Sequence, residues 1–182
     1  MNNLAELICV DIDSIEIESE WDQFVSSSVH NWNTRNYVDI EFFNLYFKNL
    51  LTTIIESVGE PFKNIVIQCH DKTLKDGKWY LTTTHRDEDR LSCITIPIKY
   101  NLQEPINFYS DTITVPDRGK SNSQKPIQTS RYSSNHPTLV NVNNLHNVRV
   151  IADLYPRILL QISYDIEFSD LVAKKPLIYK IL

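Results

Sequence analysis

Glycine is scarce in this chain, with three in 182 residues. None of them builds G-x-G-x-x-G or G-x-x-x-x-G-K-[ST], so the backbone cradles for phosphate in the two commonest nucleotide-binding folds are missing. Cysteine is sparse too: Cys9, Cys69 and Cys93 are odd in number, widely spaced, and form no C-x-x-C pair. They are expected as reduced, mostly buried thiols rather than as a disulfide framework or a zinc site. No apolar run approaches the length of a membrane span, and no charged-then-apolar leader opens the chain. A soluble, cytoplasmic protein with no membrane partner is therefore expected. Positive charge is also short. Lys and Arg total 18 against 23 Asp and Glu, for a formal net charge of −5, with no basic stripe to track a phosphate backbone. A dedicated nucleic-acid binder is not expected.

What the chain does have is ordinary globular chemistry: 42% hydrophobic and 23% charged residues, with nine Tyr, seven Phe and three Trp. Its length suits one domain, 1–182, with 1–60 as a supporting strand and helix and 61–170 as the core. Residues 8–17 alternate like a strand or strand pair, and 21–36 read as a short helix and loop. Residues 38–58 carry Phe43, Phe47, Leu50, Leu51, Ile54 and Val58 at helical spacing, ended by Gly59 and Pro61. That stripe is core packing rather than a ligand box. From Pro61 onward the rhythm is that of strands: 65–69, 78–82, 93–98, 106–109, 112–115, 138–142, 148–151 and 158–164. Lys75-Asp76-Gly77 predicts a hairpin between the first two. Residues 117–137 lack periodicity and are expected as a long loop. The fold class is mainly β with flanking helices, a sandwich or barrel.

Chemistry concentrates in Thr84-His85-Arg86-Asp87-Glu88-Asp89-Arg90. Side chains two apart on a strand share a face, so His85 and Asp87 can converge on one point while Arg86 turns away. His70 and Asp71 are neighbours and cannot do the same. His30 and His136 lie in polar loops. His146 follows 61 residues after His85, and Arg157 another 11 on. Two imidazoles and a carboxylate on one face are the donor set of non-haem Fe(II) oxygenases, whose opposite positions stay open. His85-Arg86-Asp87 also spells the kinase catalytic-loop signature, but no Gly-rich loop and no Asp-Phe-Gly accompany it. Nucleophile elbows and cysteine–base motifs are likewise missing.

In this order, His-x-Asp, a distant His and then an Arg, the chain resembles the Fe(II)/2-oxoglutarate-dependent dioxygenases. Asp87-x-x-Arg90-x-x-Cys93-x-Ile-x-Ile-Pro97-Ile98 is similar to the segment after the motif in small phage and bacterial members. Pro137 through Val148 is similar to the approach to the distal His. The resemblance spans roughly 65–168. It implies a double-stranded β-helix (jelly roll), with Fe(II) held by His85, Asp87 and His146. It also implies 2-oxoglutarate as co-substrate, its far carboxylate on Arg157, and O₂ as oxidant. The reaction implied is co-substrate decarboxylation to succinate, coupled to C–H hydroxylation of an unidentified substrate. The family's Arg-x-Ser is absent: Arg157-Ile158-Leu159 has no hydroxyl, Ser163 is too far along to stand in, and Tyr80 is the choice for the second contact. Asn141 or Asn143 is expected to hold a ligand imidazole by its second nitrogen. The 117–137 loop is placed to be a lid, with Arg118, Lys120, Lys125 and Arg131 favouring an anionic substrate. Two other classes fit the same residues: a cupin-like metal enzyme without 2-oxoglutarate, and a non-catalytic jelly-roll interaction protein.

Overall fold

The computed structural model of the chain describes residues 7–10, 21–30, 34–70, 79–81, 84–99, 105–110, 125–131, 137–151, 157–174 and 179–181. In chain order these form β1 (Leu7–Val10), α1 (Trp21–Ser28), β2 (Thr34–Val38), α2 (Ile40–Val58), β3 (Asn64–His70), β4 (Trp79–Leu81) and β5 (Ser92–Lys99). Then follow β6 (Ile106–Phe108), β7 (Gln128–Ser130), β8 (Thr138–Val140), β9 (His146–Ile151), β10 (Arg157–Tyr164), α3 (Phe168–Lys174) and β11 (Tyr179–Ile181).

The strands make two sheets, one of seven in the order β11-β1-β8-β5-β10-β3-β2 and one of four in the order β4-β9-β6-β7. Every described pairing is antiparallel. From β3 to β10 the pairings nest: β3 with β10, β4 with β9, β5 with β8, and β6 with β7. Such nesting is one long antiparallel ribbon folded over on itself, closed by the further contacts of β10 with β5 and of β6 with β9. Strands β1 and β11 extend one edge of the large sheet, and β2 the other.

β10 is buried along its whole length, because the two faces of the large sheet are covered differently. Its even residues Ile158, Leu160, Ile162 and Tyr164 join Ile65, Ile67 and Cys69 of β3 and Ile94 and Ile96 of β5 in one core. Phe24 of α1, Phe43, Phe47, Leu51, Ile54 and Val58 of α2, and Phe168 and Leu171 of α3 cover that core. Leu159 faces the other way, into a smaller cluster with Cys93, Ile106, Phe108, Val140 and Val142. Period-two alternation on a two-sided strand therefore sorts apolar side chains to the helices. The odd residues, including Arg157 and Gln161, turn toward the small sheet.

The helix expected over 38–58 begins at Ile40, because Val38 belongs to β2 and Asp39 caps the helix with φ −65° and ψ 135°. The Asp39 carboxylate accepts from the Phe42 N–H at 3.0 Å. Gly59, left-handed at φ 72°, ends the helix as its sequence position predicts. Asp39 is exposed and its side chain makes only this capping contact among those described. Asp39→Ala is expected to cost about 1 kcal/mol. In a chain of this size that is roughly a 2–4 °C fall in Tm, read by thermal circular dichroism.

Three expectations are corrected. Strands 65–69 and 78–82 are not hairpin partners: β3 pairs with β10 and β2, and β4 lies in the other sheet beside β9. Residues 21–36 hold the expected helix, but their loop end is the start of β2. The aperiodic 117–137 stretch contains β7, paired with β6. Arg118, Lys120, His136 and 112–115 lie outside the described residues. Lys125 and Arg131 are exposed. No helix among the described residues is long and apolar enough to cross a membrane.

Candidate metal centre

His85 and His146 are brought together by the backbone. The His85 N–H donates to the His146 carbonyl at 3.0 Å, and the His146 N–H returns to the His85 carbonyl at 2.9 Å. Residues that exchange both bonds sit directly opposite on antiparallel segments, with their side chains on one face. The two rings accordingly lie 4.6 Å apart, centroid to centroid. Asp87, two residues after His85, is fixed by its N–H to the Val142 carbonyl at 3.0 Å. Its Oδ1 comes 3.4 Å from His85 Nε2. One ligand atom from each of His85, Asp87 and His146 lies within 4.8 Å of the others. Arg86 does turn away, donating to the Asn143 carbonyl at 2.6 Å.

His146 opens β9 rather than preceding it, and its neighbour Asn147 points to the opposite face. There the Asn147 amide donates to Thr84 Oγ1 and to the Tyr109 hydroxyl, each at 3.0 Å. That buried network ties β9 to the residue before His85 and so fixes where the His146 ring stands. His146 Nδ1 lies 2.9 Å from the Asn144 carbonyl oxygen. With Nδ1–H donated there, the lone pair is on Nε2. The second-nitrogen partner is thus a backbone carbonyl, not the Asn141 or Asn143 side chain; Asn143 turns toward Glu167. Burial, and then the neighbouring His85 ring, push the His146 pKa down from 6.5 to about 4, so the ring is neutral at pH 7.

Burial works against the charge on Asp87, but the His85 hydrogen bond and the Arg90 and Arg35 guanidiniums outweigh it. The carboxyl is held well below the usual carboxylate range. Arg90 Nε takes Oδ2 at 2.8 Å, while Arg35 Nη2 and the His85 ring share Oδ1. Oδ1 is thus the oxygen turned toward the imidazoles. Asp89 pairs with Arg35 at 3.0 Å and accepts from the Tyr37 hydroxyl at 3.1 Å. Two neutralisable nitrogens and an ionised oxygen, preset on one face, fit a divalent first-row metal.

The three side chains open into a cleft between the two sheets, part of it open to solvent. Arg157, 2% exposed, lines the same cleft, as do Gln68, Thr95 and Gln161 from the inward positions of β3, β5 and β10. Tyr80 falls in β4, but its side chain lies outside the described residues. Ser163 is buried and receives Arg90 Nη1 at 3.3 Å. Sequence reasoning assigned no role to Arg35, Gln68, Thr95 and Gln161. For Gln68, Thr95 and Gln161 the signal was a polar residue interrupting an apolar strand; Arg35, on the short polar edge strand β2, gave none. His30 is exposed.

No family model matches the chain, and no curated protein matches it. Among solved structures it is similar to one described as the X-ray structure of E. coli ycfD, at TM-score 0.40 and 10% identity. The match covers 94% of this chain and 46% of that one, so the chain spans less than half the length of that neighbour.

Proposed function

We propose that the chain is an Fe(II)- and 2-oxoglutarate-dependent oxygenase on a double-stranded β-helix. What supports the fold is the nested pairing of β3 to β10 into two facing sheets, the strand order that rolling an antiparallel ribbon gives. The observation that carries the function is the His85, Asp87 and His146 face sharing one cavity with a buried Arg157. Held by these three residues, Fe(II) would let O₂ act as the oxidant, with 2-oxoglutarate giving two electrons as it becomes succinate and CO₂ and the substrate C–H bond giving the other two.

The chain's own residues set the geometry. His85 and His146 offer ring nitrogens from paired backbone, and Asp87 offers Oδ1, which Arg35 also contacts, while Arg90 occupies Oδ2. One carboxylate oxygen and two imidazoles leave further positions on the metal for ligands that are not protein. Arg157 presents a permanently charged fork suited to a carboxylate. Apolar walls from Ile106, Val140, Val142 and Leu159 limit water around it. Gln68, Thr95 and Gln161 are the polar groups placed to take the second contact that Arg-x-Ser would otherwise make.

Anaerobic titration tests this. Fe(II) followed by 2-oxoglutarate is expected to raise a weak visible charge-transfer band. Arg157→Gln should keep Fe(II) but weaken 2-oxoglutarate by roughly 100-fold, the loss of one charge-assisted bidentate pair. Fe(II) uptake with no response to 2-oxoglutarate would move the chain to the cupin-like class. No Fe(II) uptake at all would leave only a β-rich interaction domain.

A further inference from the structure

One buried imidazole takes no part in the metal face. His70 ends β3, is 9% exposed, and stands directly opposite Arg157 in the β3–β10 register. Strand parity turns both toward the cavity side, with Gln68 and Gln161 two and four residues away. Arg157 Nη1 lies 3.3 Å from His70 Nδ1. A guanidinium in a protein does not give up its proton, so Arg157 is the donor and Nδ1 must carry a lone pair. The ring is then the neutral Nε2–H tautomer, since an imidazolium could not accept this bond and would set two cations together out of water.

We propose that His70 is the positioning residue for Arg157, a neutral acceptor that aims the guanidinium and thereby sets a preference for 2-oxo acids bearing a second carboxylate. This rests on the reading above, in which Arg157 receives that carboxylate. The physical need is plain. An arginine side chain has many rotamers, and its fork grips a carboxylate bidentately only in one orientation. An acceptor fixed on the neighbouring strand removes that freedom before the ligand arrives.

The test uses the full chain loaded with Fe(II) under anaerobic conditions, titrated with 2-oxoglutarate and with 2-oxobutyrate, which lacks the far carboxylate. His70→Leu, without an acceptor, is expected to weaken 2-oxoglutarate by roughly 10-fold, about one hydrogen bond to a charged group. Fe(II) and 2-oxobutyrate affinities should stay unchanged. His70→Gln, whose amide oxygen can accept, should recover much of the loss. In an Arg157→Gln background, His70→Leu should add nothing. Equal weakening of both 2-oxo acids, or a full added loss in that background, overturns the proposal. A second measurement needs no variant: ¹⁵N NMR of the wild-type imidazoles, where a protonated Nδ1 on His70 also overturns it. If the wild-type protein does not respond to 2-oxoglutarate, the proposed function falls and this inference with it. Wild-type binding with an indifferent His70→Leu sinks the inference alone.

Discussion

Arg90→Met is expected to destabilise the metal-free protein by about 3–5 kcal/mol, the range for removing one partner of a buried ion pair. Arg90 is 3% exposed and Asp87 6%, so neither charge has water to fall back on. Arg90 spends its donors on three acceptors: Asp87 Oδ2 at 2.8 Å, Gln161 Oε1 at 3.1 Å and Ser163 Oγ at 3.3 Å. Methionine fills similar volume but donates to none of these, so a carboxylate oxygen, an amide oxygen and a hydroxyl oxygen lose a partner together. The carboxylate is the largest part of the cost. Adding Asp87→Asn should therefore recover a share of it, because a neutral amide is cheaper to bury than a carboxylate whose Oδ2 has lost its partner. Urea midpoints of the single and double variants, taken with a chelator present, measure this. Equal stability of Arg90→Met and wild type would mean that Asp87 is held by Arg35 alone.

Arg90 also marks where sequence reading stops. That His85 and Asp87 share a face follows from period two, and the chain displays it without any long-range information. The α2 stripe from Phe43 to Val58, the Gly59 stop and the strand character of 158–164 were legible for the same reason: each is a local periodicity. Partners were not. Lys75-Asp76-Gly77 signals a turn, yet β3 and β4 part into different sheets, and β3 pairs with β10, 87 residues on at its Arg157–His70 end. In a nested ribbon only β6 and β7 join as chain neighbours, so turn chemistry misleads at every outer pair. β2 was missed because it is short and polar, carrying Thr34, Arg35 and Asn36. With it went Arg35, whose reach to Asp87 depends on β2 pairing with β3. The contact of His70 was hidden likewise, because nothing local says that Arg157 lies across the sheet.

His146→Gln is expected to lower Fe(II) affinity by more than about 100-fold, since losing even an outer partner of a metal ligand costs 10–100-fold. The same substitution has a second consequence in chelated protein, with the opposite sign for stability. Burial and the His85 ring hold His146 at about 4, against an ordinary value of 6.5. Between these pH values the unfolded chain binds a proton that the folded chain refuses, so folding stability falls as the solution is acidified. Across the window the loss is on the order of 3 kcal/mol. It is absent above pH 6.5, where both states are neutral. Asp87 adds its own loss at lower pH, because its depressed pKa contributes stability above the ordinary carboxylate range and surrenders it as protons return. Glutamine does not titrate, so His146→Gln should flatten the limb from pH 6.5 to 4 and leave the deeper Asp87 limb in place. Urea midpoints at pH 7.5 and pH 5, with chelator, read the difference between the two proteins. Fe(II) should restore stability at pH 5 in wild type alone, because the ion and the proton compete for the same Nε2 lone pair. An unchanged acid limb in the variant would mean that another group carries it, and Fe(II) protection of His146→Gln would take His146 out of the metal's coordination.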